Sequence, residues 1–235
     1  MTKSDYIKRV LLIMNEAGLI DVAGNSLLGA EDAQVDRYIE GSYLDAWKIC
    51  AGVFPRTWFR NDSFLNERKV EDLAGGTGYV VLPNDFYLLS KFKMKLWQKP
   101  VFEASVQNEK TACVQFNEYT RGSTIRPVCV IDNTYVSSLN SIQQVLHYYS
   151  LPRGLATHEM EAAIYIPIPE PLKDKNDDYD LRLKEQITEP MCYLSAANVS
   201  VLLGKYDVAT QLQETAIRAY PSLKSVRGTT ITFKQ

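Results

Sequence analysis

The chain has 235 residues, 46% hydrophobic and 23% charged, and its 26 Lys and Arg against 28 Asp and Glu give a formal net charge of −2. That length buries a substantial core, as one large domain or two small ones, without covalent staples. The charge balance excludes a general attraction for nucleic acid or an anionic membrane, so any such contact must be local.

Ser4 stands where it can cap a first helix, with Ile7, Val10, Leu11 and Met14 at helical spacing and Gly18 as a stop signal. The apolar run Val10 to Met14 is broken at once by Asn15 and Glu16, so no export or membrane-insertion signal is expected. Glu31 and Asp32 open a second helix whose Val35, Ile39, Tyr43, Ala46, Ile49, Cys50 and Val53 share one face, ending before Pro55.

From about Phe64 to Pro169 the pattern turns to β. Gly75-Gly76-Thr77-Gly78 precedes a strand, not a helix, and no Lys-Ser/Thr follows, so it reads as a flexible turn and not a phosphate cradle. Leu82-Pro83-Asn84-Asp85-Phe86 comes next as a structural corner: Pro83 fixes φ and holds Leu82 extended, Asn84 and Asp85 suit a short turn, and Phe86 anchors it. Leu88 to Trp97 then alternates, with Lys91, Lys93 and Lys95 on one side and Phe92, Met94 and Leu96 on the other. Side chains in a strand change face at every residue, so this is a half-buried strand with a wet lysine face. The lysines could meet phosphate on DNA or protect a sheet edge, and edge protection is the favoured reading.

Further β runs are expected at Ala112 to Tyr119, Pro127 to Ile131, Gln144 to Tyr149 and Ala162 to Ile168. Pro190 then suits the first turn of a helix through Leu203, broken by Gly204. A last helix from about Asp207 to Tyr220 precedes an extended, Thr-rich tail. The expected fold class is α+β: a helical bundle built from N- and C-terminal helix pairs with an inserted antiparallel β-rich domain. Its boundaries are 1–60 plus 181–224 for the bundle, 61–180 for the insert and 225–235 for an extended C-terminal tail.

Little suggests chemistry. Asp174, Asn176, Asp178, Asp180 and Glu185 match five ligand positions of a calcium loop. Tyr179 replaces the glycine that the turn needs, and Pro167, Pro169 and Pro171 exclude an entering helix, so a solvated acidic turn is favoured. His147 and His158 sit in no metal-ligand spacing. Cys50, Cys113, Cys129 and Cys192 form no Cys-x-x-Cys pair and read as reduced, buried thiols; Cys113 or Cys129 with a histidine could in principle make a nucleophile pair, but no local signature supports it. Trp47, Trp58 and Trp97 read as core or interface anchors. No catalytic residue, metal or cofactor is expected.

The Leu-Pro-x-Asp-Phe corner, the lysine strand, Lys99-Pro100-Val101 and the small residues around Tyr193-Leu194-Ser195-Ala196-Ala197 resemble head-to-tail adaptor proteins of short-tailed phages, the tail tubular A-like ring proteins that include those of crAss-like phages. The resemblance covers nearly the whole chain in layout, but residue by residue only the corner and the last helix pair. It implies a non-enzymatic virion protein at the head-to-tail junction, assembled in the host cytoplasm as a dodecameric ring. The implied partners are further copies of itself, the portal, a lower tail or second ring protein, and DNA passing through the lumen without sequence recognition, with no membrane. Segments Leu146 to Thr157 and Ala162 to Asp180 match no motif of that family. Thr230, Ile231, Thr232 and Phe233 could add as a strand to a portal sheet edge or simply fray. The alternative function is a phage or surface-associated module that binds protein or carbohydrate through its β domain.

Overall fold

The computed structural model describes residues 1–17, 32–73, 75–106, 109–115, 117, 119–155 and 157–226. Among these the helices are α1 (Lys3–Glu16), α2 (Asp32–Val53), α3 (Lys110–Gln115), α4 (Glu185–Leu202) and α5 (Tyr206–Ala219). The strands are β1 (Asp62–Ser63), β2 (Val70–Leu73), β3 (Thr77–Val81), β4 (Phe86–Met94), β5 (Ser105–Val106), β6 (Cys129–Val136), β7 (Ser141–Tyr148) and β8 (Met160–Pro167). The chain divides into two compact units, residues 1–60 with 169–235, and residues 61–168.

The class is α+β, but a helical bundle with an inserted antiparallel β domain is not the architecture. Eight strands build two separate sheets with a core of their own, and β5 runs parallel to β6. Alternation identifies a strand but says nothing of which sheet it joins, and that partition makes the fold strand-rich.

In the first unit α4 packs on α1, α2 and α5. Its Ser195, Ala196 and Ala197 are fully buried, and such short side chains let helices approach closely. Tyr6 lies edge-on to Tyr43, ring centroids 5.4 Å apart, and its hydroxyl meets Ser195 Oγ at 2.6 Å. Thr2, not Ser4, caps α1: Thr2 Oγ1 accepts from Asp5 N at 3.1 Å while the Asp5 carboxylate accepts from Thr2 N at 3.3 Å, a reciprocal box that satisfies two orphan donors. Pro190 lies inside α4 instead of in its first turn, because the helix already starts at Glu185. Gly18 and Glu31 lie outside the described residues.

In the second unit the antiparallel order β1-β8-β4 forms one sheet and β2-β3-β7-β6-β5 the other. Phe92, Leu89, Ala163 and Tyr165 of the first sheet share a buried cluster with Val80, Cys129, Leu146 and Tyr148 of the second, joined by Phe64, Met94 and Trp97. The expected strand Ala112 to Tyr119 is instead the short helix α3, where Gln115 Nε2 donates to Thr111 O at 2.8 Å and Gln115 Oε1 accepts from Gly122 N at 2.8 Å. Its side chains follow no two-residue alternation that a sheet face could bury. No helix of the described residues is long and apolar enough to cross a membrane.

Candidate functional site

The corner is the joint at which the chain leaves one sheet for the other, between β3 and β4. Leu82 and Phe86 are buried, and Phe86 N donates to Pro83 O at 3.1 Å across the turn. Leu82 N donates to Gln144 O at 2.9 Å, so the corner stays tied to β7. Asp85 fastens the other side: its carboxylate accepts from the Tyr165 hydroxyl at 3.0 Å and its carbonyl from Ile168 N at 2.7 Å. Phe86 stacks on Tyr165 at 5.8 Å. Burial, then the Asp85 carboxylate, hold the Tyr165 hydroxyl neutral well above its usual range. Every one of these contacts is structural.

The lysine face belongs to β4, which is the edge of its sheet. Lys93 Nζ pairs with Glu161 Oε1 at 2.7 Å, and Lys95 pairs with Glu159; both glutamates come from the β8 side. The hydrogen bond that Lys95 donates to Glu159, followed by the charge of that carboxylate, raises the Lys95 ammonium above its ordinary value. Among the described residues no ion pair forms at Lys91. The strand is shorter than the alternation suggests: Trp97 N donates to Met94 O at 3.0 Å, turning Leu96 out to solvent while Trp97 stays buried. Midway, Phe92 and Val101 exchange two 2.8 Å backbone hydrogen bonds that cover part of the open edge.

Sequence reasoning missed a polar cluster. Asp72 on β2, Gly78 on β3 and Tyr148 on β7 lie in one cross-strand row. Tyr148 Oη lies 2.6 Å from His158 Nδ1 and 3.3 Å from Asp72 Oδ1, and His158 Nδ1 is 3.0 Å from the same carboxylate oxygen. A Cβ at Gly78 would stand 2.1 Å from Tyr148 Oη and 2.6 Å from Glu71 O, so only glycine lets the tyrosine cross the row. That glycine is the available signal: Gly75-Gly76-Thr77-Gly78 together read as a flexible turn before the strand, but Thr77 and Gly78 already belong to β3, where a glycine marks a close approach. Burial first, and Asp72 second, push the Tyr148 hydroxyl far above its ordinary value, so it acts as a neutral hydrogen-bonding group. His158 also lines a pocket of about 150 Å³ with Lys95, Leu151, Thr157 and Glu159, far below the roughly 300–1,000 Å³ of small-molecule sites.

The thiols are set against nucleophilic work. Burial pushes the Cys192 thiol up to about 12 and raises Cys50 and Cys129 further from their thiolates. Cys113 is exposed, contrary to the expectation of burial. The acidic turn at Asp174 to Glu185 wraps the start of α1: Lys3 N donates to Tyr179 O at 2.9 Å, Ser4 N to Asp177 O at 3.0 Å, and the Met1 ammonium lies 3.5 Å from Asp180. Among the described residues no three His, Cys, Asp or Glu side chains gather as a metal site would need. Trp47 lies edge-on to Phe59 at 5.7 Å, Trp58 stacks on Phe54 at 5.1 Å, and Trp97 meets Phe92 at 5.7 Å. Thr230, Ile231, Thr232 and Phe233 lie outside the described residues.

Apolar surface is the second unit's most conspicuous offering. Tyr135 and Ile142 are directly paired across β6 and β7, yet they are 57% and 70% exposed. They share a sheet face with Ile131 and Leu146 further in, with the exposed polar pair Asn133–Gln144 between the two apolar pairs. Tyr119 is 94% exposed and Phe102 58%. No family model and no curated protein matches the chain.

Proposed function

We propose that this protein is a structural virion subunit that works through its surfaces, many copies closing into a ring at a head-to-tail junction between portal and lower tail. The ring has twelve subunits, DNA passes through its lumen unread, and no reaction is catalysed. What carries the reading is the Tyr135–Ile142 pair, an aromatic and an aliphatic side chain left exposed side by side near the hairpin end of β6 and β7. Neighbouring aromatic and aliphatic side chains left in water are typical of contact surfaces, and copies joined head to tail close into rings when the rotation permits. The corner resemblance supplies the place in the virion.

Cryo-electron imaging of the purified chain mixed with portal rings tests this. The expected result is a closed ring of twelve subunits stacked on the portal. The double variant Tyr135→Ser with Ile142→Ser should fold normally, since exposed substitutions each change stability by no more than about 0.5 kcal/mol, and should assemble at least about tenfold more weakly. Subunits that stay single beside intact portal rings would overturn the reading.

A further inference from the structure

β5 closes the five-stranded sheet of the second unit but covers only Val130 and Ile131 of β6. From Asp132 to Val136 no strand among the described residues lies on the side away from β7. The hydrogen bonds show which groups face that vacancy. Gln144 O on β7 accepts from Leu82 N at 2.9 Å, on the β3 side, so Gln144 and its partner Asn133 are a pair that exchanges no ladder bonds. Backbone groups change side at every residue, and Tyr135, paired with Ile142, repeats the arrangement two residues on. The N–H and C=O of Asn133 and of Tyr135 therefore point away from β7, and both side chains are exposed. Asn133 N turns to the carboxylate of its neighbour Asp132 at 2.6 Å; no backbone group among the described residues takes up the other three.

Open edges are usually guarded. β4 carries Lys91, Lys93 and Lys95 and is bridged by Val101, and β2 carries Glu71 and Asp72. The open part of β6 has none of these devices: Asn133, Thr134, Tyr135 and Val136 are uncharged, include no proline and keep an unbroken register with β7. Such an edge pairs readily with an added strand.

The chain itself contains a segment that fits. Thr229-Thr230-Ile231-Thr232-Phe233 comes after the last described residue, Val226, and matches the vacancy in length residue for residue. It consists of β-branched and aromatic residues, with Ile231 and Phe233 alternating with the threonines. Its flanks, Arg227 and Lys234, are cationic and no acid accompanies them, whereas Asp132, beside the end of β5, is the one charged residue of β6. A tail face of Ile231 and Phe233 also suits Tyr135, which is left in water.

We infer that Thr229–Phe233 of one copy adds as a strand to the β6 edge of the next, bonded to the backbone of Asn133 and Tyr135. The inference rests on the ring reading, since a tail given and an edge received by every copy is the head-to-tail contact that a ring repeats. Two variants break it from opposite sides. Ending the chain at Val226 removes the strand. Asn133→Pro removes an outward N–H and sets a ring on the edge, while the ladder to β7 loses no bond.

Sedimentation velocity over a wide concentration range, with and without portal rings, is read beside hydrogen exchange at the Tyr135 amide. Both variants should need at least tenfold more protein than the parent to associate. The shortened chain, isotopically labelled and mixed with unlabelled parent as the source of tails, should exchange its Tyr135 amide at least tenfold more slowly than when mixed with more shortened chain. A tail that folds back on its own copy cannot do this. If the parent associates and both variants do so equally well, or if added parent leaves the Tyr135 amide of the shortened chain unchanged, the inference is overturned while the ring reading stands. A parent that stays monomeric alone and with portal overturns the ring reading, and this inference with it.

Discussion

The two units hold themselves together by different means. In the first, polar groups are buried and tied across the length of the chain: Lys3 Nζ lies 2.7 Å from Glu40 Oε1 and donates to Lys175 O at 2.8 Å, while Tyr6 bonds to Ser195. In the second, aromatic rings fill the space between two sheets: Phe64 stacks on Phe92 at 6.4 Å and Phe92 meets Trp97 edge-on at 5.7 Å. Directional ties specify one arrangement of helices whose small side chains would pack in several registers. Rings supply area without direction and leave register to the strand ladders. At the surface both units expose apolar side chains, Phe102, Tyr119, Tyr135 and Ile142 in the second and Leu12, Leu202 and Tyr206 in the first.

If that contrast is right, truncating a central ring should be the most damaging change. Phe92→Ala removes a fully buried side chain between Phe64 and Trp97 and should destabilise the second unit by about 3–5 kcal/mol, the usual range for such a cavity. Hydrogen exchange should localise the effect: amides of β4 and β8 gain exchange first. A loss under about 1 kcal/mol in urea melts would mean that the two sheets do not share one tight core.

Breaking a polar tie ranks next. Lys3→Met leaves the Glu40 carboxylate, 15% exposed, without its partner, and should cost the first unit somewhat less than the roughly 3–5 kcal/mol of a fully buried pair, since Glu40 keeps some water. Replacing both ends, Lys3→Met with Glu40→Leu, should recover most of that loss, because the penalty comes from the stranded charge and not from the absence of a pair. A double variant as unstable as the single one would show that the pair holds α1 against α2 through geometry that apolar side chains cannot replace.

Legibility in the sequence follows the same division. Helix periodicity is a local property, so Val35, Ile39, Tyr43, Ala46 and Cys50 can be read as one buried stripe, and all five are buried. Strand alternation around Phe92 and Met94 is equally local. Sheet membership is not, and the chain's crossing from one sheet to the other at Pro83 cannot be seen in Leu82-Pro83-Asn84-Asp85-Phe86 itself. Thr2 as cap was hidden because Ser4 is an equally good capping residue two positions on; only the Asp5 reciprocal bond decides. The Asp72–Tyr148–His158 cluster joins residues up to 86 positions apart, and nothing but Gly78 pointed to it.

The smallest expected effect separates the two readings of the lysine face. Lys93 and Lys95 already face Glu161 and Glu159, and exposed pairs of this kind contribute about 0–1 kcal/mol each. Changing them to glutamate would set carboxylate against carboxylate across the strand pair and confuse electrostatics with folding. Lys91→Gln, Lys93→Gln and Lys95→Gln together remove the charge and keep the stems that cover the sheet. If β4 is simply guarded at its edge, the triple variant should unfold within about 1 kcal/mol of the parent and aggregate faster near neutral pH, since an edge without charge pairs more readily with another edge. Assembled particles should retain DNA as well as before. Unchanged aggregation combined with weakened DNA retention would instead give the phosphate role to Lys91, where no ion pair forms among the described residues, because a cation already neutralised by glutamate has little left to offer phosphate.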